Sequence, residues 1–220
     1  MNDKLEFYDV LGVLIPGSIV LGLVCVTFPE AVKPFSTTAF PDAFTVVCLT
    51  AVAVFLGQLI QAIASLIEPI VDWTWGGRSS ERALEHGLGD RYLPLDSARR
   101  IRAKLARVVG ETASSRSLFL YAMQKAETSG NSRVAKFNGL YAYHRGMLTL
   151  VIVIIGVLVG AMGWGAIRHW ALGAKLELVA AGLILLVTVW FRAKQRGFYY
   201  VREVLSTAER LIDAEPASVK

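Results

Sequence analysis

The chain has 220 residues, 54% of them hydrophobic and only 19% charged, with a net charge of +5 and a mean hydropathy of +0.49. That balance excludes an ordinary soluble domain and a disordered polyelectrolyte, and it suits an integral membrane protein. Cys25 and Cys48 both sit in apolar runs, so they read as small buried hydrophobes with no disulfide between them.

The opening, MNDKLEFYD, is acidic, and no small-residue cleavage site follows the first apolar run; no cleavable signal peptide is expected. The first span is expected over about 5–28. Pro16 and Gly17 interrupt it. Proline removes one backbone N–H and frees the carbonyl four residues back, here that of Gly12, and in lipid that carbonyl needs a new partner. The pair is either a simple kink or a hinge. The loop 29–42 holds Pro29, Pro34 and Pro41.

The second span is expected over about 43–67. Gln58, Gln61 and Ser65 fall at i, i+3 and i+7, one face of a helix, and a polar stripe at membrane depth should face protein or water. Counting helical rise from a tight loop places Gln58 about 22 Å down and Gly12 about 24 Å down. Gln58 could therefore donate to the freed Gly12 carbonyl, or the stripe could line a pore or bundle interior. Trp73 and Trp75 mark an interface, and Pro69 with Gly76 and Gly77 suggests that the helix ends there.

Residues 76–145 form the sizeable polar region, a basic helical domain. Ser79 and Ser80 precede a short helix. A second helix, 97–109, has the apolar face Ala98, Ile101, Leu105 and Val108. Its other positions are basic: Arg99, Arg100, Arg102, Lys104 and Arg107. A third helix is expected over about 115–128, and Asn131 or Ser132 caps a fourth that runs unbroken into the third span, 147–167.

That span has 21 residues and no charge, enough for a ~30 Å hydrocarbon core at about 1.5 Å per residue. Gly156 and Gly160 lie in GxxxG spacing, which suits close helix packing, against this chain or a second copy. After a short loop with Trp170, the fourth span covers about 176–191. The tail, 193–220, is expected to be helical to Ala214. The four pieces are thus a first transmembrane pair (1–75), the basic domain (76–145), a second pair (146–192) and the tail: an all-α membrane protein with four transmembrane helices.

Orientation follows from charge. Residues 78–145 hold 13 Lys and Arg and the tail from 192 holds six, against Lys33, Arg168 and Lys175 in the other two loops. The positive-inside rule puts the basic domain and both termini in the cytoplasm. No catalytic constellation is present. His86, His144 and His169 lie in different segments, without metal-ligand or triad spacing. Glu81 and Glu85 read as solvated charges, and the glycines form no phosphate loop. An enzyme is not expected, nor a cofactor or metal. The basic helix has three readings: attraction to an anionic leaflet, a dock for an acidic protein, or a dock for an anionic ligand. In the last, Arg and Lys meet phosphates while Tyr121, Tyr141, Tyr143 or His144 stack on bases.

Three stretches, LEFYDVLGVLIPG (5–17), GQLIQ (57–61) and NGLYAYHRGM (138–147), resemble small four-span membrane proteins of bacterial anti-phage defence systems. The nearest likeness is to the Hailong-type membrane effector, with the Kiwa-type membrane subunit second. The resemblance implies a homo-oligomer, a tetramer, in the bacterial inner membrane. It also implies a cytoplasmic partner, a nucleotidyltransferase in the Hailong-type arrangement, whose nucleotide oligomer holds the membrane protein quiet. The expected function is a membrane effector whose pore is gated from the cytoplasm. Its interior would use Gln58, Gln61 and Ser65, its hinge Pro16 and Gly17, and its helix contact Gly156 and Gly160. Ligand or partner binding would use Arg99, Arg100, Arg102, Lys104, Arg107, Tyr141, His144 and Arg145. The alternatives are a non-conducting anchor or sensor for a nucleic-acid-acting partner, and a small transporter, which the lack of an internal repeat disfavours.

Overall fold

A computed structural model describes residues 3–27, 42–130, 132–164 and 172–214. The proline-rich loop, the loop holding Trp170 and His169, and the capping residue Asn131 lie outside them. The described residues fold into seven helices: α1 (Asp3–Thr27), α2 (Asp42–Thr74), α3 (Ser79–His86), α4 (Leu95–Val109), α5 (Ser115–Thr128), α6 (Ser132–Trp164) and α7 (Leu172–Ala214). Beyond the helices, the pairing is one isolated antiparallel bridge between Gly89 and Leu93. The fold is all-helical. Three helices, α2, α6 and α7, carry stretches long and apolar enough to cross a membrane, and α1 carries a shorter apolar stretch, Val10–Cys25.

The chain divides into two units. One takes in Met1–Ile67 and Ala142–Ala193, the other Glu68–Tyr141 and Lys194–Lys220. The first contains the apolar parts of α1, α2, α6 and α7. Many of its large side chains point outward: Phe55 is 69% exposed, Leu66 78% and Ile184 70%. The tail is not a separate element. α7 continues without a break from its apolar stretch to Ala214, and its last part belongs to the same unit as α3, α4 and α5.

Proline breaks neither α1 nor α2. α1 runs through Pro16 and α2 through Pro69. In α1 the carbonyl that Pro16 frees is satisfied from the side: Gln61 Nε2 donates to the Gly12 oxygen at 3.0 Å. The expected donor was Gln58, one turn earlier. The register of α1 against α2 is set by a close crossing, not by equal rise from their loop. A Cβ built on Gly17 would fall within 3 Å of the Ala53 carbonyl and the Gly57 nitrogen, and one on Gly57 within 3 Å of the Val13 carbonyl. Pro16 and Gly17 are buried in this contact. Gly17 is thus a packing position in a continuous helix.

The polar unit is built on amphipathic spacing. α4 buries Ala98, Ile101 and Leu105, and α5 buries Leu118, Phe119, Ala122 and Ala126. They meet Leu84 of α3, Leu88 just after it, Val134 of α6, and Val201, Val204, Leu205 and Ala208 of α7. Between α3 and α4 the chain turns at Gly87, whose φ of +70° and crowding by the Leu93 carbonyl suit only glycine. The turn closes with Leu88 N donating to the Leu93 oxygen at 2.9 Å. Ser114 caps α5, its Oγ accepting from Ser117 N at 3.2 Å.

Candidate functional site

The stripe on α2 divides in two. Gln61 is half-buried and committed to Gly12, and a Cβ on Gly146 of α6 would fall 2.5 Å from its Nε2. The amide is therefore wedged between α1 and α6. Gln58 and Ser65 face outward. Ser65 Oγ donates back to the Gln61 carbonyl at 3.1 Å, whereas Gln58 has no hydrogen-bond partner among the described residues. With exposed Ala51, these form a row at seven-residue spacing, Ala51, Gln58 and Ser65, flanked by exposed Val54, Phe55 and Leu66. The same helix thus holds an inward amide that knits the unit together and an outward one that the chain leaves open.

Gly156 and Gly160 are exposed, and a Cβ on either would meet nothing within 4 Å. Among the described residues of one chain, no other helix packs against them. The close small-residue contact belongs instead to Gly17, Ala53 and Gly57. The small-xxx-small spacing of Ala53 and Gly57 was the sequence signal for it.

The basic helix also splits. Arg100 Nε donates to Glu209 Oε1 at 2.8 Å. Lys104 Nζ donates to Glu209 Oε1 at 2.9 Å and to Asp213 Oδ2 at 2.7 Å. Burial pushes the Glu209 carboxyl up, but the hydrogen bonds and charges of Arg100 and Lys104 outweigh it and hold it below the ordinary carboxylate value. Hydrogen bonds to Asp213 and then Glu209 hold the Lys104 ammonium above its ordinary value. These two cations fasten α4 to α7, where Glu209 and Asp213 take up part of their donor capacity. Arg99, Arg102 and Arg107 are exposed and make no ion pair among the described residues.

The remaining residues expected at the docking surface are carried by α6. Tyr141 is half-buried, stacks on Tyr200 with centroids 6.2 Å apart, and donates to Glu68 Oε1 at 3.4 Å. Tyr200 thus covers one face of the Tyr141 ring. His144 lies edge-on to Tyr143, and both belong with half-buried Arg145 to the apolar unit. Arg99, Arg102 and Arg107 belong to the polar unit. The eight expected binding residues therefore do not share one element. The described residues contain no cluster of His, Cys, Asp or Glu fit to hold a metal ion. Comparison with protein-family models, with curated proteins and with solved structures gave no match.

Proposed function

We propose that the chain is a four-span, homo-oligomeric membrane protein of a bacterial inner membrane, and that a polar seam on α2 forms its shared interior. The observation that carries this is Gln58, an exposed amide without a hydrogen-bond partner among the described residues, flanked by exposed Val54, Phe55 and Leu66. A primary amide placed in hydrocarbon with nothing to bond costs about 4–8 kcal/mol. That cost is removed if the row Ala51, Gln58 and Ser65 meets a second copy or water. Symmetry then multiplies one polar row into a lining, which a single four-helix protomer has no room to build. Open Gly156 and Gly160 offer α6 a further contact between copies.

In this reading the protein is a non-enzymatic effector of anti-phage defence, a tetramer whose path is gated from the cytoplasm. The polar unit and both termini lie on the cytoplasmic side, as the Lys and Arg distribution favours. Arg99, Arg102 and Arg107 receive the gating anion, a nucleotide oligomer or an acidic surface of a partner such as a nucleotidyltransferase. A non-conducting anchor uses the same three arginines to recruit its partner and is the second reading. Ion flux through liposomes holding the purified protein tests the two. Flux that Gln58→Leu abolishes, in a variant that still inserts, supports the effector. Absence of flux with and without single-stranded oligonucleotides on the cytoplasmic face would leave the anchor.

A further inference from the structure

α4 carries five cations against one acid, Asp96. Three of the cations, Arg100, Lys104 and Arg107, stand at i, i+4 and i+7 and so form one row along the helix. The row is unevenly occupied. One oxygen of Glu209, Oε1, accepts from both Arg100 Nε at 2.8 Å and Lys104 Nζ at 2.9 Å. Lys104 Nζ also donates to Asp213 Oδ2 at 2.7 Å. Arg107, and Arg99 beside Arg100, are exposed and make no ion pair among the described residues.

A guanidinium and an ammonium one turn apart, converging on a single anionic oxygen, hold a phosphate oxygen by the same bonds. Glu209 and Asp213 therefore occupy, from within the chain, the places that the oxygens of an outside anion would take. They are open to exchange. The Arg100 side chain is 59% exposed and that of Asp213 55%, and ion pairs that water reaches are weak. The Glu209 side chain is only 14% exposed, and a carboxylate so covered cannot stay in place once its cations are taken. Ala208 is the last residue of α7 fully buried in the core. After it, the helix end is tied to the unit by Glu209, Asp213 and partly buried Ile212.

We propose that Arg100, Lys104 and Arg107 form a row for the phosphates of a nucleotide oligomer, and that Glu209 and Asp213 are its built-in competitor, displaced when the oligomer binds. This rests on the reading in which α4 receives an anion, and adds to it two cations and a consequence for α7. An oligomer has the advantage of linked charges. Phosphates held by exposed Arg99 and Arg107 present the next ones to Arg100 and Lys104 at high effective concentration. The segment then released, 209–214, is the end of a helix that runs unbroken from its apolar stretch.

The test is fluorescence anisotropy of a short labelled oligothymidylate with the full chain in uncharged detergent at low salt, where phosphate contacts are strongest. Glu209→Gln with Asp213→Asn should bind at least about tenfold tighter than the parent. Asp90→Asn with Glu127→Gln removes the same charge from exposed positions elsewhere and should stay within about twofold of it. Adding Arg100→Ala and Lys104→Ala to the first pair should cancel its gain. Circular dichroism checks that each variant is folded. A second measurement needs no variant: saturating oligothymidylate should speed hydrogen exchange of the 209–214 amides in the parent at least about fivefold. Equal affinity of the parent and the folded Glu209→Gln, Asp213→Asn chain would overturn the proposal. An equal gain in the charge-matched control, or unchanged exchange over 209–214 in a parent that binds, would do the same while leaving α4 as an anion receptor. No binding by any of these chains would remove that reading as well.

Discussion

At the scale of single residues, two glutamines one turn apart have opposite duties. Gln61 closes the carbonyl that Pro16 opens, and Gln58 is left outward. Gln61→Leu leaves the Gly12 oxygen buried and unpaired, so the apolar unit should lose about 1–3 kcal/mol, read as a lower thermal midpoint in detergent. Gln58→Leu should leave that midpoint within about 0.5 kcal/mol while altering flux or oligomeric state. Equal destabilisation by both changes would contradict the assignment of one amide to structure and the other to function. The sequence showed a three-residue polar stripe but not which member bonds inward. Face periodicity resolves a stripe, whereas one turn of register depends on a crossing that only the partner helix fixes.

At the scale of elements, the crossing of α1 and α2 depends on bare backbone. Gly57→Ala puts a methyl group against the backbone of Val13, where no flexible side chain can yield, so α1 and α2 must separate. Overpacking of this kind costs about 1–3 kcal/mol, seen as increased protease sensitivity of α1. Gly156→Ala meets open space in the chain and should leave the monomer's stability unchanged. In the proposed tetramer, a loss of crosslinked species with that variant would place α6 at a contact between copies.

The fastening of α4 to α7 has a pH window. Glu209 is lowered, so its contribution is complete above the ordinary carboxylate value and lost as pH falls through the lowered one. Lys104 is raised, so its contribution is complete below its ordinary value of 10.5 and lost as pH rises through the raised one. Thermal stability of the polar unit should therefore be flat at neutral pH and fall at both extremes. Glu209→Gln should blunt the acid side. These partners are more than 100 residues apart in sequence, and no local pattern announces them. The basic face of α4 was legible as basic, but the share of it spent on α7 was not.

At the scale of the whole molecule, the helical class and the long apolar helices were legible because length and hydropathy suffice to read them. The division into units was less so. Residues after 193 looked like a trailing helix, although Phe198, Val201, Val204, Leu205 and Ala208 repeat at helical spacing and are all buried in the polar core. Truncation after Ala193 removes that whole face. The remaining polar unit should lose cooperative unfolding and expose α4 and α5 to protease, whereas truncation after Ala214 should change neither. A truncated chain that stayed protease-resistant would mean that α3, α4 and α5 form a core of their own.

The bond between Gln61 and Gly12 also orders events during synthesis. The two residues lie 49 apart, so α1 leaves the ribosome with its Gly12 carbonyl open, seconds before its partner exists at about 5–20 residues per second. In the proposed four-span arrangement, α1 released alone into lipid carries an unpaired carbonyl that hydrocarbon penalises. The insertion machinery is therefore better served by holding α1 until α2 arrives and passing the pair sideways as one hairpin. A ribosome stalled short of Gln61 should leave α1 crosslinked to the translocation channel. Gln61→Leu should prolong that residence even in a chain made to its full length.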